Sequence, residues 1–254
     1  MFSVRMASSA PSPPPLKRPL RVLCLHGYRT NAAVMRNQTK HLREALGDDA
    51  EFIFLNGTKE ARGPSDDTIE RLHAEDKPFY EWIQPHKVPV GDPSEKQWTW
   101  MLMNVEVAID YLTPSSKKLG QWISPSGAIM LTLMSMLYVQ HKSEPMRWWK
   151  MCICVGGVNP RNISERALFE TPGGKKILVP FPSIHIVGKK DTFYTHGLKF
   201  AEQYDDHPTT ASRVLSKRVF VHDSGHKFPS GDKNPGLYEE IAHLIRSHFA
   251  ILVL

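Results

Sequence analysis

Three things are scarce in this sequence: long apolar runs, cysteine, and acidic residues near the start. A conventional membrane span needs about 18 or more consecutive apolar residues. The most apolar stretch, Gly127 to Val139, is 13 residues, the length of a buried core helix. Cys24, Cys152 and Cys154 are an odd number and each lies inside an apolar run, which fits buried, reduced thiols rather than a disulfide framework. A reducing compartment is therefore expected, the cytoplasm first and the nucleus also compatible. A mitochondrial presequence fits less well, because residues 1–19 carry a proline cluster beside their arginine and serines.

No Asp or Glu precedes Glu44, whereas Arg5, Lys17, Arg18, Arg21, Arg29, Arg36, Lys40 and Arg43 do. That local excess more than accounts for the net charge of +6, so the remaining 210 residues are near neutral. A nucleic-acid binder would instead carry a basic stripe with aromatic platforms on its folded face. No nucleic-acid partner is expected.

What is present is ordinary globular composition: 254 residues, 41% hydrophobic and 23% charged. One α/β domain can fill that length. Residues 1–19 (MFSVRMASSAPSPPPLKRP) have the make-up of a disordered or polyproline-like tail, leaving 20–254 as a single domain.

From residue 20 strand-like and helix-like segments alternate. Strands are expected at Arg21–Leu25, Glu51–Leu55, Lys150–Val155, Ser183–Val187 and Arg218–His222, with Cys152 and Cys154 sharing one face. Helices are expected from Asn31, as cap, to Gly47, and over Trp98–Leu112, Gly127–His141 and Leu237–Phe249. Residues 58–97 show no clear period and read as a long loop or lid. The alternation predicts a mostly parallel central sheet with helices on both faces, an architecture that binds ligands beyond the carboxyl ends of its strands.

Three strand ends carry chemistry. His26-Gly27-Tyr28 follows the first, with a glycine that lets an amide face the crevice. Asp191 follows Ile186-Val187, and His226 follows Val221-His222. An acid and then a histidine on successive strand ends match the later two members of the order Ser…Asp…His found in α/β-hydrolases. Imidazole deprotonates the serine, and carboxylate fixes its tautomer and stabilises its charge. Taken singly, Asp191 could equally cap a helix and His226 could be a surface loop residue. His222 lies in a strand four positions from His226, so a metal pair is not expected.

With these pieces in order, the chain resembles the FSH-type family of serine hydrolases, within the α/β-hydrolase superfamily. The resemblance rests on Val22-Leu-Cys-Leu-His-Gly-Tyr28, the Tyr80-Glu-Trp82 to Trp100 region, Gly127-Ala-Ile-Met130, Pro182-Ser-Ile-His-Ile-Val-Gly-Lys-Lys-Asp191 and Ser224-Gly-His-Lys-Phe-Pro229. It spans about residues 19–250. It implies an α/β-hydrolase fold, a small-molecule ester or acyl substrate, no metal or organic cofactor, and the backbone amide of Tyr28 as an oxyanion donor.

The sequence departs from that family at its nucleophile. The family carries a Gly-x-Ser-x-Gly elbow behind a strand of about five apolar residues. Here the segment reads Leu119-Gly-Gln-Trp-Ile-Ser-Pro-Ser-Gly-Ala128, and an ungapped match puts Pro125 where the serine belongs. A native deletion and a mis-assigned exon boundary would both produce this. Two serines remain. The elbow needs small residues two positions either side of the nucleophile and a free amide just after it. Ser124 is flanked by Trp122 and followed by Pro125, which has no N–H. Ser126 is flanked by Ser124 and Ala128 and followed by Gly127. Ser126 is therefore the expected nucleophile, with Gly127 as second oxyanion donor and Ser124 as alternative. The expected activity is cleavage of a carboxylic ester or thioester through Ser126, Asp191 and His226. The rival reading is a catalytically impaired scaffold that binds a ligand or partner without turnover. The aromatics of the 58–100 region (Phe79, Tyr80, Trp82, Trp98, Trp100) fit an acyl pocket and core packing equally.

Overall fold

A computed structural model describes residues 18–89, 98–117, 122–125, 127–140, 149–158, 167–206 and 216–251. The expected N-terminal tail falls outside these residues except for its last two.

The first strand, β1 (Leu20–Leu25), is buried along almost its whole length, as a central parallel strand must be. The Asn31 side chain then caps α1 (Ala32–Gln38) by accepting from the Val34 amide at 2.9 Å. The single helix expected up to Gly47 is in fact two, α1 and α2 (Lys40–Leu46), broken at Thr39. The buried Thr39 hydroxyl bonds back to the Met35 carbonyl at 2.9 Å, a local bond that competes with the helical ladder. Gly47, at φ +52°, ends α2 and admits β2 (Ala50–Leu55).

The stretch expected as a structureless loop or lid is built. It holds β3 (Lys59–Glu60), α3 (Asp67–Leu72), β4 (Tyr80–Glu81) and β5 (Gln84–Pro89). The helix expected from Trp98 is also corrected. Trp98–Met103 is β6, paired antiparallel with β5, and the helix, α4 (Val105–Lys117), starts only after Asn104.

The remaining elements are β7 (Trp122–Pro125), α5 (Ala128–Gln140), β8 (Trp149–Val155), β9 (Ser183–Gly188), α6 (Tyr194–Ala201), β10 (Lys217–His222) and α7 (Leu237–Ile251). Six strands form one parallel sheet in the order β10-β9-β8-β7-β1-β2. Alternation along the strands divides the core. Leu23, Leu25, Cys152 and Cys154 face α4 and α5, whereas Val22, Cys24, Met151 and Ile153 face α1, α2 and α7. Cys152 and Cys154 do share a face, and all three thiols are free and buried. Residues Met130 to Met136 of α5 are all buried, which explains a helix apolar all round. Among the described residues no helix is long and apolar enough to cross a membrane.

Candidate active site

The carboxyl edge of the sheet gathers the loops that follow β9, β10, β1 and β7. Asp191 sits three residues past β9 with a side chain only 2% exposed. Its Oδ2 lies 2.7 Å from His226 Nδ1, and its Oδ1 accepts the Phe193 amide at 2.8 Å. Asp191 does not cap α6, whose N-cap is Phe193; one oxygen bonds the amide of that residue in the turn before the helix, and the other holds the histidine. A carboxylate only accepts, so Nδ1 carries the proton and Nε2 is the ring's basic position. The His226 side chain is 51% exposed, with Phe193 edge-on at 6.0 Å between ring centroids.

Two glycines make this placement possible. A Cβ on Gly188 would run into the carbonyl oxygens of Ser224 and Gly225, where the histidine loop crosses β9. Gly156, past the end of β8 at φ +60°, lies under the imidazole, and a Cβ there would be 2.6 Å from His226 Cε1. Main-chain bonds bind the two loops: Lys189 donates to the His222 carbonyl at 2.8 Å and Lys190 to that of Ser224 at 3.0 Å. His222 is buried, with Nδ1 accepting the Ser224 amide at 3.2 Å, so it serves the loop. Burial pushes its basicity down. Among the described residues no group of three or more His, Cys, Asp or Glu could hold a metal ion.

The turn after β1 is fixed by a fully buried His26. Its Nε2 accepts the Gly57 amide at 2.8 Å, so Nδ1 is the protonated nitrogen and donates to the Gly27 carbonyl, also at 2.8 Å. Burial lowers its pKa to about 4, which keeps it neutral and in that tautomer. Trp82 lies tilted beside it, with ring centroids 5.2 Å apart, and donates from Nε1 to its carbonyl at 3.1 Å. Tyr28 is half exposed, and among the described residues its amide has no acceptor.

At the elbow, β7 ends at Pro125 and α5 begins at Ala128. Ser124 is in the strand, level with Cys152 of β8, and is followed by the proline that has no N–H. Ser126 lies outside the described residues. Gly127 has φ +65°, and a Cβ on it would be 2.6 Å from Leu25 Cβ. The left-handed step between strand and helix is thus taken by a glycine packed against the end of β1. His226, resting over the end of β8, is one strand from β7, about 4.8 Å across the sheet.

Sequence reasoning missed the supports. Neither Gly156 nor the polar residues behind Tyr28 carry a motif, and both matter only through contacts far apart in the chain. Of the aromatics weighed for an acyl pocket, Phe79 and Trp82 are buried and serve as packing.

Residues 16–235 match the family model described as Serine hydrolase (FSH1). The zebrafish (Danio rerio) protein named Esterase OVCA2 is 23% identical over 247 residues, covering 87% of this chain and 96% of its own. The mouse (Mus musculus) Esterase OVCA2 is 25% identical over 224 residues, covering 84% and 91%. Among solved structures, esterase PE8 superposes with a TM-score of 0.53 at 15% identity over 91% of this chain and 93% of its own. That likeness bears on the fold alone, and the fold is that of an α/β-hydrolase. With most of its length matched by the family model, the chain belongs to the serine hydrolase (FSH1) family.

Proposed function

We propose that the protein hydrolyses a carboxylic ester or thioester of a small molecule through an acyl-enzyme, with Ser126 as nucleophile. The observation that carries this reading is the 2.7 Å bond from a buried Asp191 to His226, whose Nε2 is left as the base one strand from the β7–α5 turn. His226 takes the proton of the Ser126 hydroxyl as its oxygen attacks the carbonyl carbon. The amides of Tyr28 and Gly127 hold the oxyanion. Collapse of the tetrahedral intermediate breaks the bond to the leaving oxygen or sulfur, which takes the proton from His226. Water then repeats the sequence on the acyl-enzyme and releases the acid. The scheme uses no metal or organic cofactor. Ser124 is the alternative nucleophile, disfavoured because the proline after it has no amide to donate. The test is hydrolysis of p-nitrophenyl esters and an acyl thioester by the wild type, by Ser126→Ala and by His226→Ala. Turnover abolished in both variants is expected. Turnover that survives Ser126→Ala removes that serine from the mechanism.

One observation favours a second reading, an impaired scaffold that binds without turnover. The residue in the left-handed step is Gly127, and the close approach of Leu25 leaves no room there for a side chain. This reading predicts saturable ester binding with no product.

A further inference from the structure

The turn carrying Tyr28 is strained immediately beyond that residue: Arg29 has φ +51°, a left-handed conformation costly for a residue with a Cβ. Something must over-determine it. Arg29 Nε donates to Glu81 Oε1 at 2.8 Å, and the Glu81 side chain is only 2% exposed. The other carboxylate oxygen, Oε2, accepts from Gln84 Nε2 at 3.0 Å, and Gln84 Oε1 accepts from Asn104 Nδ2, again at 3.0 Å. Asn104 is itself left-handed, at φ +65°, at the junction of β6 and α4. Main-chain and indole bonds run in parallel. The Tyr80 amide donates to the Thr30 carbonyl at 2.7 Å, and Trp82 Nε1 to that of His26 at 3.1 Å. Residues 80–84 thus grip the turn on both sides of Tyr28. The grip is tight: a Cβ on Gly57, which holds His26 from the other side, would be 2.6 Å from the Glu81 carbonyl carbon.

We propose that Glu81 is a positioning residue for the oxyanion turn: its carboxylate holds Arg29 in the left-handed conformation that aims the Tyr28 amide at the substrate oxygen. The charge matters as well as the shape. A buried carboxylate accepts from two donors at once, whereas Gln in its place would turn an amide N–H toward either the Arg29 or the Gln84 donor.

The catalytic role of the turn rests on the hydrolase reading; the clamp itself does not, and two measurements separate them. The first is amide hydrogen exchange at Gly57 and Tyr80, whose N–H groups bond His26 Nε2 and the Thr30 carbonyl on either side of the turn, in wild type and Glu81→Gln. The proposal expects faster exchange at both amides with the six-stranded sheet unchanged. Equal rates overturn it, whether or not the protein turns over ester. The second is kinetic. Glu81→Gln should lower kcat by about tenfold or more, up to the roughly 100-fold that follows loss of an oxyanion donor, with KM little changed. Adding Arg29→Gly, which accepts a positive φ without a Cβ penalty, should recover most of that kcat. A purely structural role for the ion pair predicts no such rescue, since the double variant lacks both charges. A Glu81→Gln protein with unchanged kcat, or one that Arg29→Gly makes worse, contradicts the proposal. A wild type inactive on every ester counts against the hydrolase reading alone, and the exchange result then decides the clamp.

Discussion

Asp191 serves two donors with two oxygens, and its near-complete burial means that no water can replace either partner at low cost. Asp191→Asn keeps the shape but offers only one acceptor oxygen. If that oxygen stays with Phe193, the amide N–H faces Nδ1 and forces the proton to Nε2, the wrong nitrogen for a base. Turnover of a p-nitrophenyl ester should fall about 10³- to 10⁴-fold with the fold intact. His26 makes a different prediction, about stability. Burial holds it at about 4 in the native state, against 6.5 for an ordinary histidine. Below 6.5 the unfolded chain takes up a proton that native His26 refuses. Its contribution is therefore complete above pH 6.5 and is lost as the pH falls toward 4, by up to about 3 kcal/mol. His185, buried in β9 and lowered to about 3, acts in the same direction. Urea midpoints should drop from pH 7 to pH 4.5, and His26→Asn should shrink that slope while lowering stability at pH 7. A wild-type midpoint flat over this range would show that neither histidine is held neutral.

At the scale of elements, the glycines under the histidine loop govern the site as firmly as its charges do. Gly188→Ala must push Ser224 and Gly225 away from β9, and Gly156→Ala must push the imidazole itself. Each should cost about 1–3 kcal/mol and abolish most turnover, and calorimetry beside the esterase assay checks both. Among the elements read correctly from sequence, β1 and β8 are buried on both faces and spell nearly continuous apolar runs, β9 is buried throughout with Ile184, Ile186 and Val187 around a buried Ser183 and His185, and α7 shows an unbroken helical stripe. Trp98–Met103 was misread as helix because both faces of β6 are apolar, with Leu102 buried and Met101 and Met103 exposed, so the two-residue period is hidden. Its partner β5 contains Pro85 and Pro89, which argue against a strand except in a marginal ribbon such as this one. Asp191 and His226 were legible because each ends a legible strand. The Arg29–Glu81–Gln84–Asn104 chain was not, since its members are scattered over 76 positions of sequence and are joined only by the fold.

Over the whole molecule, two cores press on one parallel sheet, and among the described residues its shortest strand pairing lies where the chemistry is expected. Among the described residues β1 pairs with β2 through six residues but with β7 through two, Arg21 with Trp122 and Val22 with Ile123. Stability must then come chiefly from the flanking layers. Ile245 of α7 is fully buried against the α1/α2 face, and Arg246 beside it bonds Asp49 at 2.6 Å and the last carbonyls of α2. Ile245→Ala should lower the unfolding free energy by about 2–5 kcal/mol, measured by urea titration, without changing the state of His226. Catalysis turns on whether the short β7–α5 connection delivers a serine to that histidine. Labelling the folded protein with a fluorophosphonate and mapping the modified residue by mass spectrometry tests this most directly. The account predicts one stoichiometric adduct on Ser126, lost in His226→Ala; a folded protein that takes up no label, or takes it elsewhere, would contradict it.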